Sequence, residues 1–192
     1  PWGISSCHMD FPGTINLRPE TFMALMEDIF RSLIYHGFKN ILTWAEHWLC
    51  MYPLGTIVRK VNDAHPEVNM IFWHERYGQL HLEDPKSITP SASKTPKEAE
   101  WHAAETEAAA ALACWPELTR MDRARKYWQT PPSFTTDASV KEWHYMLKEL
   151  TPYGHLGDPG AAKAENGHYW FDRKSDEVVK IVKEYFIEKK GP

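Results

Sequence analysis

Imidazole and carboxylate side chains cluster at two places in this 192-residue chain, and both clusters suit metal-assisted or acid–base chemistry. The first is Trp44-Ala-Glu-His47-Trp48. A neutral imidazole there can bind a divalent ion or transfer a proton near neutral pH, although an isolated loop histidine serves equally well as a plain hydrogen-bonding group. The second is His102-Ala-Ala-Glu105-Thr-Glu107, at the start of a predicted helix. His102 and Glu105 are three residues apart and share a helix face, while Glu107 points away from it. All three can still converge on a site at the helix N-terminus. Acidic residues also gather in first turns because the macrodipole favours them there, so an ordinary first turn is the competing reading. His8, in Ser-Cys-His-Met-Asp-Phe-Pro-Gly, and His74-Glu75 are lesser candidates, and Asp158 in Leu-Gly-Asp-Pro reads better as a turn or N-cap residue. No P-loop, GxGxxG, HExxH or GxSxG pattern occurs, which argues against the common nucleotide enzymes and serine hydrolases.

The elements that must position these groups follow from hydrophobic spacing. From Leu17 onward, Phe22, Leu25, Met26, Ile29, Leu33 and Ile34 recur at helical intervals, with Asn16 as the expected N-cap, Pro19 in the first turn and Gly37 as the stop. Lys39 to Trp44 is a short apolar run of strand length; Leu54, Ile57, Val58 and Val61 predict a second helix, and Val68 to Trp73 a second strand. This alternation predicts an α/β fold with a mostly parallel sheet. His47 then lies at the carboxyl end of a strand, where such folds build their sites. Residues 74–97, interrupted by Pro85, Pro90 and Pro96, read as a long loop and a candidate lid. Glu98 to Cys114 should be helical, as should Ser139 to Leu150; Tyr153 to Pro159 forms turns, and the last helix carries Val178, Val179, Val182, Tyr185 and Phe186 on one stripe.

Composition narrows the class. A chain of this length with 43% hydrophobic residues fills one core, so a single domain over 1–192 is expected. The formal charge of -4, with scattered lysines and arginines, gives no footprint for nucleic acid. No apolar run reaches the ~20 residues of a membrane span, and no secretion signal opens the chain. Three widely spaced cysteines suit reduced thiols, hence a cytoplasmic location. The start at Pro1 suggests a trimmed or processed beginning.

Three segments, taken in order, resemble the creatininase family of metal-dependent amidohydrolases. His8-Met-Asp-Phe-Pro-Gly-Thr-Ile-Asn-Leu, continuing to His36-Gly-Phe-Lys-Asn-Ile-Leu, is similar to the family's H-x-x-F-P-G-T-[IL]-S-L and H-G-F-x-x-I-[LV] stretches. His102-Ala-Ala-Glu-Thr-Glu107 with Pro116-Glu-Leu resembles H-A-G-E-x-E-T-S followed by P-E-L. Gly157-Asp-Pro-Gly-Ala-Ala-Lys-Ala-Glu-Asn-Gly167 resembles G-D-P-x-x-A-T-A-E-x-G. The resemblance implies a three-layer αβα sandwich, often hexameric, that holds zinc or manganese as a binuclear pair and hydrolyses amide bonds in small, frequently cyclic compounds. It implies metal-ligand roles for His47 and Glu107, and places His102 and Glu105 as polar pocket residues that move the proton.

The departures matter as well. The family's N-G-H-G-G-N turn stands here as Ala45-Glu-His-Trp-Leu-Cys50, so bulky Trp48 and Leu49 replace glycines that allow close backbone approach. An upstream E-x-H-G-x-H-L-P-x-x-x-D stretch, source of a glutamate, a histidine and a bridging aspartate, does not occur in this chain. The chain thus corresponds to the family from its middle to its C-terminus, with the remaining ligands expected from a missing portion or a companion chain. Two functions follow: a metal-dependent hydrolase of a small amide substrate, and a non-catalytic subunit or binding module with a degenerate site. An α/β protein that stacks a planar heterocycle on its tryptophans is the third.

Overall fold

Pro19 opens the first helix because its fixed φ suits the first helical position and its missing N–H is not needed there. Helix α1 spans Pro19–Tyr35, with extended Arg18 at the N-cap and Phe22 and Phe30 turned into the core. Asn16 does not cap it as predicted: its Oδ1 instead accepts the Ser5 N–H at 2.7 Å, tying down the N-terminal loop. Gly37, at φ 88°, ends the helix as expected, and the Phe38 N–H closes back on the Leu33 carbonyl at 3.1 Å. Strand β1 (Asn40–Trp44) follows, then helix α2 (Trp48–Ala64) and strand β2 (Asn69–Trp73). The strands pair in parallel, with Ile41 opposite Met70 and Trp44 opposite Trp73.

This computed structural model describes residues 2–73, 102–127 and 146–188. The chain divides into two compact units, Pro1–Arg76 with Val178–Pro192, and Tyr77–Glu177. In the first, Leu54, Ile57, Val58 and Val61 from α2 pack with Ile41 and Met70 from the strands and with the two α1 phenylalanines. Each such side chain, once buried, contributes about 1.5–3 kcal/mol against its exposed state. Glu27 of α1 bonds Lys60 of α2 at 2.6 Å and Arg31 at 2.8 Å, and these partners hold its carboxyl below the usual range. The helix–strand alternation and the parallel pairing make this an α/β fold.

In the second unit, helix α3 runs from Glu105 to Cys114. The predicted helix began at Glu98; residues 98–101 lie outside the described ones, and residues 102–104 are not helical. His102 is drawn instead into an antiparallel bridge with Leu156, and Tyr127 pairs with Gly157 on the other side of the same segment. Ala103 then adopts φ 48°, which breaks the helical path. Of the predicted helix from Ser139, the described part is the single turn α4, Leu147–Leu150. Helix α5 (Ala164–Ile181) continues into a π-helical turn, Val182–Ile187. Of the expected stripe, Val178, Val182 and Phe186 are half-buried, while Val179 and Tyr185 are exposed. Gly167 of α5 meets α3 so closely that a Cβ there would stand 2.1 Å from the Ala109 carbonyl oxygen. The candidate lid over 74–97, with His74-Glu75, lies outside the described residues. Among the described residues, no helix is long and apolar enough to cross a membrane.

Candidate active site

His47 takes the N-cap position of α2, three residues beyond the end of β1, with an extended backbone at φ -97° and ψ 120°. The turn around it needs no left-handed residue, which explains how it does without the family's glycines: among described non-glycine residues, only Ala103 has a positive φ. Trp48, Leu49 and Cys50 wind straight into the helix, and Leu49 packs on the core. The His47 Nδ1 atom is shut off from solvent and has no hydrogen-bond partner among the described residues. Burial lowers the pKa of its imidazole, and a neighbouring His8 lowers it further. The ring is therefore neutral near pH 7, the form that binds a metal or accepts a proton.

His8 is the neighbour that sequence reasoning left among the lesser candidates. Its ring lies edge to face against His47, with centroids 5.6 Å apart and planes at 60°. Its Nδ1 is 3.1 Å from Cys7 Sγ, and burial lowers its pKa as well. Its place at the head of the first family-like segment was the available signal.

The second unit holds the other three predicted residues. Glu105 opens α3 completely buried, at 0% exposure. Glu107, one half-turn on, is exposed, and its Oε2 accepts the Ala103 N–H at the mouth of the helix. His102 is held by both backbone bonds of its bridge, donating to Leu156 O at 3.1 Å and accepting from Leu156 N at 2.8 Å. The structure thus gathers His102, Glu105 and Glu107 at one helix start, and puts His47 beside His8 in the other unit. Asp158 caps the short turn Pro159–Ala161 through the Gly160 N–H at 3.1 Å, the role its sequence context suggested. A groove of about 520 Å³ along α2, lined by residues including Tyr52, Gly55, Arg59 and Phe72, contains none of the predicted site residues.

An open, desolvated imidazole nitrogen such as His47 Nδ1 fits zinc or manganese. A whole ligand set is not assembled by the described residues: among them, no three His, Cys, Asp or Glu side chains come together at metal-binding spacing. The three cysteines are free thiols.

The sequence profile of the Creatininase family, creatinine amidohydrolase, matches residues 1–182. No curated protein sequence matches. Among solved structures, a protein of Bacteroides fragilis NCTC 9343 provisionally assigned as a creatinine amidohydrolase superimposes with a TM-score of 0.76 at 20% identity, over 96% of this chain and 69% of that one. A Zn-Zn form of a mutant creatininase gives 0.69 at 19% identity, over 92% and 68%. A manganese creatininase gives 0.68 at 19% identity, again over 92% and 68%. At these identities the likeness establishes the fold. The profile match over nearly the whole length establishes more: this chain belongs to the creatininase family.

Proposed function

We propose that this protein hydrolyses a C–N amide bond in a small, cyclic or formamido compound, with a divalent ion as cofactor. The observation that carries the reading is His47: in a chain of this family, it offers a buried, neutral ring nitrogen, without a partner among the described residues, at the carboxyl end of a parallel strand. In this reading His47 and Glu107 are ligands to zinc or manganese, singly or as a pair, and the remaining ligands come from outside the described residues. Such an ion, when bound, polarises the amide carbonyl and makes water nucleophilic at neutral pH.

The chain's own groups do the rest. His102 has its backbone locked by the Leu156 bridge, so its imidazole is presented from a fixed point and can carry a proton to the leaving nitrogen. Glu105, fully buried, is shielded from bulk water, and in this reading it is the second polar group of that step. We also propose that the working form is a homo-oligomer, a hexamer by resemblance.

A second reading, a binding module with a degenerate site, is favoured by one observation: Glu107 is exposed and engaged with the Ala103 N–H. One experiment separates the two. Metal analysis of the purified protein, with mass spectrometry for any co-purifying polypeptide, is followed by assay of a panel of cyclic amides and formamides. Under the hydrolase reading, zinc or manganese raises the melting temperature, turnover appears, and His47→Ala lowers it at least about a hundredfold. Metal-free protein that no ion stabilises and that turns over no substrate would overturn the hydrolase reading and favour the non-catalytic one, which any turnover would end.

A further inference from the structure

His8 belongs to no role assigned so far, yet the chain invests heavily in keeping it where it is. Its N–H donates to Ser5 O at 3.0 Å, and its carbonyl accepts the Phe11 N–H at 2.9 Å and the Thr14 hydroxyl, also at 2.9 Å. The loop bearing it is fastened to the first turn of α2, the turn that His47 begins. The Ile4 N–H donates to Cys50 Sγ at 3.3 Å, and Gly3 approaches the same sulfur so closely that a Cβ would stand 2.9 Å from it. Leu17 closes the base of the loop, its N–H bonded to Gly3 O at 3.0 Å. His8 and His47 are thus carried on two segments that meet at one buried thiol.

We propose that His8 is a positioning residue of the His47 site: its ring, edge to face on the His47 imidazole, sets the angle at which Nδ1 is offered to a ligand. The proposal rests on reading His47 as a ligand-binding group. A bare imidazole can rotate and flip about its last side-chain torsion, because the two ring faces and the two tautomers differ little in energy without a fixed neighbour. Ligating histidines are ordinarily oriented by donating their other ring N–H to an outer carboxylate or carbonyl. His47 Nδ1 is the nitrogen left open among the described residues, and the neighbour that bears on the angle of its ring is His8, in edge-to-face contact with it. The contact geometry is the favourable one for aromatic pairs.

The test compares His8→Leu, which fills the space without an aromatic edge, with His8→Phe, which keeps the edge and removes the nitrogens; His8→Ala serves as a second loss of the ring. Long-range 1H–15N spectra of the metal-free protein read the His47 tautomer directly. One dominant tautomer is expected in the wild type and in His8→Phe, and averaged or exchange-broadened signals in His8→Leu and His8→Ala. Cobalt(II) titration, followed by its absorption bands, is expected to show affinity about tenfold weaker in His8→Leu and little changed in His8→Phe. Unchanged His47 signals in His8→Leu and His8→Ala would overturn the proposal, as would a His8→Phe protein as disturbed as His8→Leu. Failure of the wild type to bind cobalt would count against His47 as a metal ligand, while the metal-free spectra would still judge His8.

Discussion

Cys50 stands where the family's turn ends in asparagine, and it is 5% exposed beneath the N-terminal loop. Its sulfur accepts the Ile4 N–H and leaves Gly3 no room for a side chain. Cys50→Ala would strand that buried N–H and open a small void; a loss of about 1–3 kcal/mol in urea unfolding is expected. Burial pushes the thiol's pKa up, so it is inert at neutral pH, whereas exposed Cys114 is open to alkylation. The address of His47 was legible in the sequence because a strand followed by a helix fixes it by topology. Its contact with His8 was not, since 39 residues separate the two and no periodicity spans a loop held by a sulfur.

At the level of elements, the α3–α5 crossing depends on a single glycine. Gly167 lets the Ala109 carbonyl of α3 approach α5 at backbone distance, and Ala113 crowds the same spot, 2.8 Å from where a Cβ would be. Gly167→Ala would gain helix propensity of up to about 1 kcal/mol but force the helices apart. A net destabilisation of about 1–3 kcal/mol, measured by thermal unfolding, is expected, with the start of α3 and Glu105 displaced along with it. Strands β1 and β2 were legible to within a residue because their apolar runs are short and bounded on both sides. The start of α3 was not. Alanine and glutamate favour helix throughout this stretch, and what stops the helix is tertiary: the Leu156 bridge on His102 and the left-handed Ala103. Asn16 was misread for a similar reason, its capping oxygen being spent on Ser5.

For the molecule as a whole, the α/β architecture was readable from the alternation of helix and strand periods, and family membership from three ordered segments that coincide with structural junctions: the His8 loop, the start of α3, and the bridge and cap at Gly157 and Asp158. Large apolar side chains remain on the surface of both units, among them Tyr35 at 88%, Tyr52 at 73% and Leu118 at 71% exposure. Such residues are expected to be covered in a homo-oligomer. Sedimentation equilibrium should therefore give a multiple of the chain mass, six by resemblance; a monomer at micromolar concentration would remove that part of the proposal. The sulfur-anchored loop has one more consequence. Because Gly3, Ile4 and Cys50 join the His8 loop to the first turn of α2, thermal fluctuations cannot release one imidazole while leaving the other in place. The pair should exchange its amide protons as a single cooperative block, so that on warming the site disappears abruptly instead of degrading by degrees.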